Sequence, residues 1–94
     1  MVKHVVCFKL KEGESPEIAK KVLMGMDGNV PTVRAIEVGI DELKSARSFD
    51  VMLTVLVDSF DALKEYQQDE YHCGVVKKHM HAVTKSSVAI DFDI

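Results

Sequence analysis

The ten residues from Ser48 to Val57, S-F-D-V-M-L-T-V-L-V, alternate so that Phe49, Val51, Leu53, Val55 and Val57 share one face and Asp50, Met52, Thr54 and Leu56 the other. A period of two belongs to a β-strand, whose successive side chains point to opposite sides. Both faces are largely apolar here, so the segment predicts a strand covered on both sides. That is a demanding requirement for a chain of 94 residues. A domain of this size buries only about 60 to 65% of the surface its unfolded chain exposes, so burial by self-association is expected to help.

The remaining elements emerge from similar patterns. Val2 to Leu10 alternates Val2, His4, Val6, Phe8 and Leu10 against Lys3, Val5, Cys7 and Lys9, which predicts a first strand. Ser15-Pro16-Glu17 supplies a helix cap, a proline whose missing N–H costs nothing, and an acid at the positive helix end. Ile18, Val22, Leu23 and Met26 continue at helical spacing, with Gly28-Asn29 as the stop. Residues 33–40 read as a second strand. Asp58-Ser59 caps a helix carrying Phe60, Leu63 and Tyr66, and another helix is predicted from about Glu70 to Ala82 after a break near Gln68-Asp69. Residues 86–94 close as a strand, with Val88, Ile90, Phe92 and Ile94 expected inward and Ala89, Asp91 and Asp93 opposite.

The order β-α-β-β-α-β predicts an α+β, ferredoxin-like fold with a four-stranded antiparallel sheet. Residues 1–94 are expected to form one domain, because no linker, low-complexity tract or charge block interrupts them. Helices cover only one face of such a sheet. The apolar second face argues for a partner sheet in an identical subunit.

Composition excludes several function classes. Hydrophobic residues are 47% and charged residues 29%, the range of ordinary globular proteins. The formal charge is −3 and no basic stretch is interleaved with aromatics, so nucleic acid is not an expected partner. No apolar run approaches the roughly 20 residues of a membrane span, and charges interrupt the apolar N-terminal stretch, unlike a secretory leader. A cytoplasmic location is expected, with Cys7 and Cys73 as reduced thiols; a disulfide between them is the minor alternative.

Several stretches together resemble the stress-responsive A/B barrel (Dabb) family: V-K-H-V-V-C-F-K at the start, S-F-D-V-M-L-T-V from Ser48, D-S-F-D-A-L-K-E-Y from Asp58, the histidine at 72, and the ending V-A-I-D-F-D. The resemblance covers essentially the whole chain, and it implies a dimeric α+β barrel in which the sheets of two subunits face each other. One plant branch of the family carries out an aldol-type cyclisation of a linear polyketide. Its early histidine matches His4, and its tyrosine six residues before a histidine matches Tyr66 and His72. A third-strand histidine of that branch falls on Asp50, and a pocket tyrosine of its first helix falls near Met26. The family's H-P-x-H reads D-E-Y-H here, with Asp69 and Glu70 in place of the first two residues.

The chemistry available to these residues is proton transfer. A neutral imidazole at His72 can take a proton from carbon next to a carbonyl, and the Tyr66 phenol can donate a hydrogen bond to the oxygen that gains charge. His4 can fix the imidazole or the substrate carbonyl. Tyr66 and His72 diverge on an unbroken helix, so they converge only through the expected break. In the competing structural reading, His4 and His72 hydrogen-bond within a semi-polar core and Tyr66 packs. Val6 and Phe8 beside His4, Val76 beside His72, and Met26, Met52 and Asp50 complete the expected ligand pocket.

No metal site or cofactor is expected. His79 and His81 cannot chelate one ion from a single helix, and both are expected to be solvated or at an interface near the helix end. Cys73 has no orienting acid to make it a nucleophile. The expected partner is a second copy of the chain, and the expected ligand is a small hydrophobic or polyketide-like molecule. The rival reading is a non-catalytic stress or assembly protein whose function is the stable dimer. A heme-handling or antibiotic-synthesis monooxygenase of similar barrel shape would rest on fold analogy alone.

Overall fold

The computed structural model describes residues 1–94. Its elements run β1 (Val2–Leu10), α1 (Pro16–Met24), β2 (Ala35–Ile40), β3 (Val51–Val57), α2 (Phe60–Gln68), a π-helical segment (His72–Lys77), α3 (Lys78–Val83) and β4 (Thr84–Asp93). The strands form one sheet in the order β2-β3-β1-β4, and every neighbouring pair is antiparallel. This is the ferredoxin-like topology predicted from the element order. No helix is long and apolar enough to cross a membrane.

The central pair sets the core. β1 and β3 are in register at Val2 and Val57, His4 and Val55, Val6 and Leu53, and Phe8 and Val51, so these residues share the face that the helices cover. Val51, Leu53, Val55 and Val57 are buried there with Leu23 and Met26 from the α1 side and Leu63 and Met80 from the later helices. Each such side chain contributes about 1.5 to 3 kcal/mol when removed from water. The caps form as expected: Ser15 Oγ accepts the Ile18 N–H at 3.1 Å, and Ser59 Oγ accepts the Ala62 N–H at 3.1 Å.

Two face assignments need correction. On α1 the buried stripe is Ala19, Leu23 and Met26, one position round from the predicted one, and Ile18 is exposed. A small residue at 19 allows the helix to sit close to the sheet, which an apolarity pattern alone does not register. On β4, Val88, Ile90 and Phe92 do not face the helices. They pair with Cys7, Val5 and Lys3, so they lie on the helix-free face, where Ile90 is 61% exposed. Alternation defines two faces but not which one meets the helices; the pairing with β1 decides it.

The helix-free face therefore carries Val5 and Cys7 from β1, Met52 and Leu56 from β3, and Val88, Ile90 and Phe92 from β4. Cys7 lies on this face and Cys73 on the helical layer, and both are free thiols.

The helical layer is locked at one close contact. A Cβ added to Gly25, just past α1, would lie 2.5 Å from Tyr71 Oη and 3.1 Å from the Val22 carbonyl oxygen. Tyr71 packs against the core and immediately precedes His72, so this contact fixes where the next helix begins relative to α1. We expect Gly25→Ala to destabilise the protein by about 1 to 3 kcal/mol, as overpacking does, and Tyr71→Phe in the same chain to restore most of the loss. Chemical denaturation of the four-member cycle measures this, and additive effects would show that the Tyr71 hydroxyl is not the constraint.

Candidate functional site

The site is built at the join between α2 and the helix after it. α2 ends at Gln68, and Asp69 adopts an extended conformation, with φ −60° and ψ 139°. Its carboxylate then accepts the N–H groups of Tyr71 at 2.8 Å and His72 at 3.1 Å, capping the next helix. The aspartate that stands where the family pattern has histidine thus makes the break itself. From His72 to Lys77 the backbone is π-helical, with i→i+5 bonding that widens the turn.

This break brings three rings together. The Tyr66 and His72 ring centroids lie 4.5 Å apart with a 43° interplanar angle, and those of Tyr66 and His4 lie 5.6 Å apart, edge to face at 63°. Tyr66 is 1% exposed. His4 Nδ1 hydrogen-bonds the Asp91 carboxylate. A carboxylate only accepts, so His4 carries its proton on Nδ1 and its ring orientation is fixed from β4.

Burial tunes the site in a useful direction. It pushes the Tyr66 phenol up, so the hydroxyl keeps its proton. It also lowers the His72 pKa from the ordinary histidine value, as do smaller effects of Lys77 and His4, while the Gln67 backbone and Asp69 pull upward. The Gln67 carbonyl favours the cation from nearby, but no hydrogen bond of good geometry reaches His72 Nδ1. At neutral pH His72 is therefore held as the free imidazole.

A cavity of ≈ 210 Å³ opens beside the rings, between β1, β3 and β4 and the helices. His4, Tyr66 and His72 line one part, and Val6, Phe8, Leu23, Leu53, Val76 and Met80 make an apolar wall. Of the four buried side-chain polar atoms without a hydrogen-bond partner, three belong to residues lining this cavity: Tyr66 Oη, His72 Nδ1 and Thr84 Oγ1. Leaving such a group unpaired costs about 1 to 3 kcal/mol, and most buried polar groups in folded proteins are paired. Their concentration here leaves the cavity wall with polar groups that the protein itself does not pair.

Of the residues expected in the pocket, the structure brings His4, Tyr66, His72, Val6, Phe8 and Val76 to this cavity. It does not bring Met26, Asp50 or Met52. Met26 is 0% exposed in the core beneath α1, where it fills space. Met52 pairs with Cys7 and faces the helix-free side. Asp50 accepts the Leu10 N–H at 2.7 Å and lies 3.7 Å from Lys9 Nζ, so it closes the end of β1. Asp50 and Met52 instead line a separate hollow with Cys7 and Gly39.

Sequence reasoning missed Asp91, Thr84, Ser87, Lys77 and His81. Asp91 and Ser87 stem from the inverted faces of β4, whose polar residues turn toward the helices, and Thr84 precedes the expected strand and pairs with Leu10 past a register shift. Lys77, at the end of the π segment, and His81, beyond it, line the cavity, whereas regular helical spacing turns His81 away. The pairing of His4 with Asp91 would have been legible from the β1–β4 register, had the strand ends been known. No group of three or more histidine, cysteine, aspartate or glutamate side chains is arranged to hold a metal ion.

Three solved structures illustrate the likeness of the whole fold. A dimeric ferredoxin-like protein from Thermobifida fusca superposes with a TM-score of 0.85 at 19% identity, covering 99% of this chain and 90% of that one. A dimeric protein of ferredoxin-like fold from Bacteroides fragilis gives 0.81 at 21% identity, with 99% and 95% covered. A hydroxynitrile lyase from Passiflora edulis gives 0.80 at 16% identity, with 99% and 92% covered. No curated protein matches the chain significantly. The profile of the Stress responsive A/B Barrel Domain matches residues 2–94, and with the β-α-β-β-α-β fold in place the chain belongs to that family.

Proposed function

We propose that the protein is a homodimer whose subunits each bind a small, mostly apolar carbonyl compound and move a proton on it. The carrying observation is the convergence of Tyr66, His72 and the Asp91-anchored His4 on one cavity that also holds unpaired polar atoms. His72, neutral through burial, accepts a proton from the carbon next to the carbonyl. The electron pair of the broken C–H bond passes into the enolate, and the Tyr66 hydroxyl donates a hydrogen bond to its oxygen. The imidazolium then returns a proton to that carbon, re-forming the C–H bond as the enolate reverts to the carbonyl. His4 is a positioning residue, held by Asp91. At ≈ 210 Å³ the cavity lies below the roughly 300 Å³ at which drug-sized sites begin, so a compact polyketide-like or β-dicarbonyl molecule fits it best. The Passiflora edulis hydroxynitrile lyase supports this reading in that a subunit of the same fold serves an enzyme.

The dimer reading rests on the apolar helix-free face and on neighbours described as dimeric. A second reading, in which the dimer itself is the function, draws on that face alone and leaves the cavity without a role. Ile90→Lys places a charge where an apolar contact is expected, and sedimentation should then give the monomer where the unaltered chain gives a dimer. A dimer that survives this substitution would move the interface elsewhere.

Proton transfer is tested by deuterium incorporation next to the carbonyl of acetophenone, followed by NMR in heavy water. The unaltered protein should catalyse exchange, and His72→Gln should abolish it while leaving the oligomeric state intact; exchange unchanged in His72→Gln would remove His72 from the mechanism. Silent His4 and His72 variants with no exchange at all would favour the dimer-only reading. The acid limb of the exchange rate should fall below the ordinary histidine value of about 6.5, because burial lowers the His72 pKa. The native state then binds fewer protons than the unfolded chain just below that pH, so stability should drop as the pH falls through this window. His72→Gln should flatten that slope, as read by denaturation at several pH values.

A further inference from the structure

The cavity is not electrically symmetric. Away from the three rings it is lined by Lys77, His81, Thr84 and Ser87, and no aspartate or glutamate lines any part of it. Lys77 stands one π turn beyond His72, and His81 comes four residues later, so both project to the same mouth. Neither takes part in any of the chain's ion pairs, which involve Met1, His4, Lys9 and Arg34. Thr84 Oγ1 is buried without a hydrogen-bond partner at this end. The carbonyls that close α3 would oppose an anion, but they are already occupied: Lys11 Nζ donates to the Ala82 oxygen at 3.0 Å and the Lys11 N–H to the Val83 oxygen at 2.8 Å.

We propose that the ligand carries a carboxylate, held at this mouth by Lys77 and His81 with hydroxyl donation from Thr84 and Ser87. This inference rests on the ligand-binding reading above and narrows it to oxo acids: a carbonyl at Tyr66 and His72, an apolar middle against Val6, Phe8 and Leu53, and an anionic end at the mouth. The span fits an extended molecule. His4 pairs with Asp91 and Phe8 with Ser87, and the four residue steps from one rung to the other cover roughly 13 Å of strand. A carboxylate suits the mouth because the Lys77 ammonium, the His81 ring and two hydroxyls offer donors and no aspartate or glutamate lines the cavity.

Binding separates this inference from the chemistry. The probes are 4-(3-oxobutyl)benzoate and its neutral amide, 4-(3-oxobutyl)benzamide, titrated by calorimetry at low ionic strength against the full chain. The benzoate should bind about two- to fivefold more tightly than the amide, the scale of one solvent-accessible charge contact, and added salt should shrink the preference. Lys77→Gln and His81→Gln together should bring the ratio of the two affinities to about one, and that ratio, not either affinity alone, is the readout. Equal affinities, a preference that persists in the double variant, or no binding of either probe overturns the inference. A salt-sensitive benzoate preference without deuterium exchange in either probe upholds it and leaves only the proton-transfer reading to fall. Exchange that proceeds equally in both probes with no preference for the benzoate does the reverse.

Discussion

Tyr66 is the side chain on which the site is organised. Its ring is packed between two imidazoles, its hydroxyl is enclosed without a protein partner, and it is among the largest fully buried side chains of the molecule. A phenol in such a place loses water and keeps its proton, which makes it a donor of fixed position. Two separate pieces of chain must arrive correctly for this to happen. α2 carries Tyr66 inward, and the Asp69 break lets the next helix bring His72 back over the same ring.

The fold is legible in the sequence because its strongest signals are local and repetitive. The doubly apolar alternation of β3, the alternation of β1, and the Ser15 and Ser59 caps each have one physical interpretation, and their order leaves few topologies. The site is legible in part: residue type and an expected break single out His4, Tyr66 and His72. The rest depends on quantities that a pattern does not carry. Asp91 falls on the wrong face in the sequence because alternation has no sign until a neighbouring strand supplies it. His81 points elsewhere on a regular helix, whereas here it lies beyond a π segment and lines the cavity. Analogy or residue type alone puts Asp50, Met26 and Met52 in the pocket, and pairing and packing send them elsewhere.

The helical layer shows how a small chain fixes a precise arrangement with few contacts. Gly25 has no side chain, so Tyr71 can lie over the end of α1, and Tyr71 adjoins the residue that must be aimed. Asp69 supplies direction through two hydrogen bonds, and the widened turn after it sets which side chains look into the cavity. None of these features is large in energy alone. Together they decide the azimuth of one imidazole.

β1 and β4 form a ribbon with different tasks on its two sides. His4 and Asp91 meet on the side toward the helices, and one rung along, Val5 and Ile90 meet on the side away from them. The spacing and twist of this ribbon are common to both surfaces, so the proposed association of subunits and the aim of His4 are mechanically one variable. A change of strand geometry that suits one surface is transmitted through a single thickness of backbone to the other, and sequence drift at either is constrained by what its reverse side tolerates.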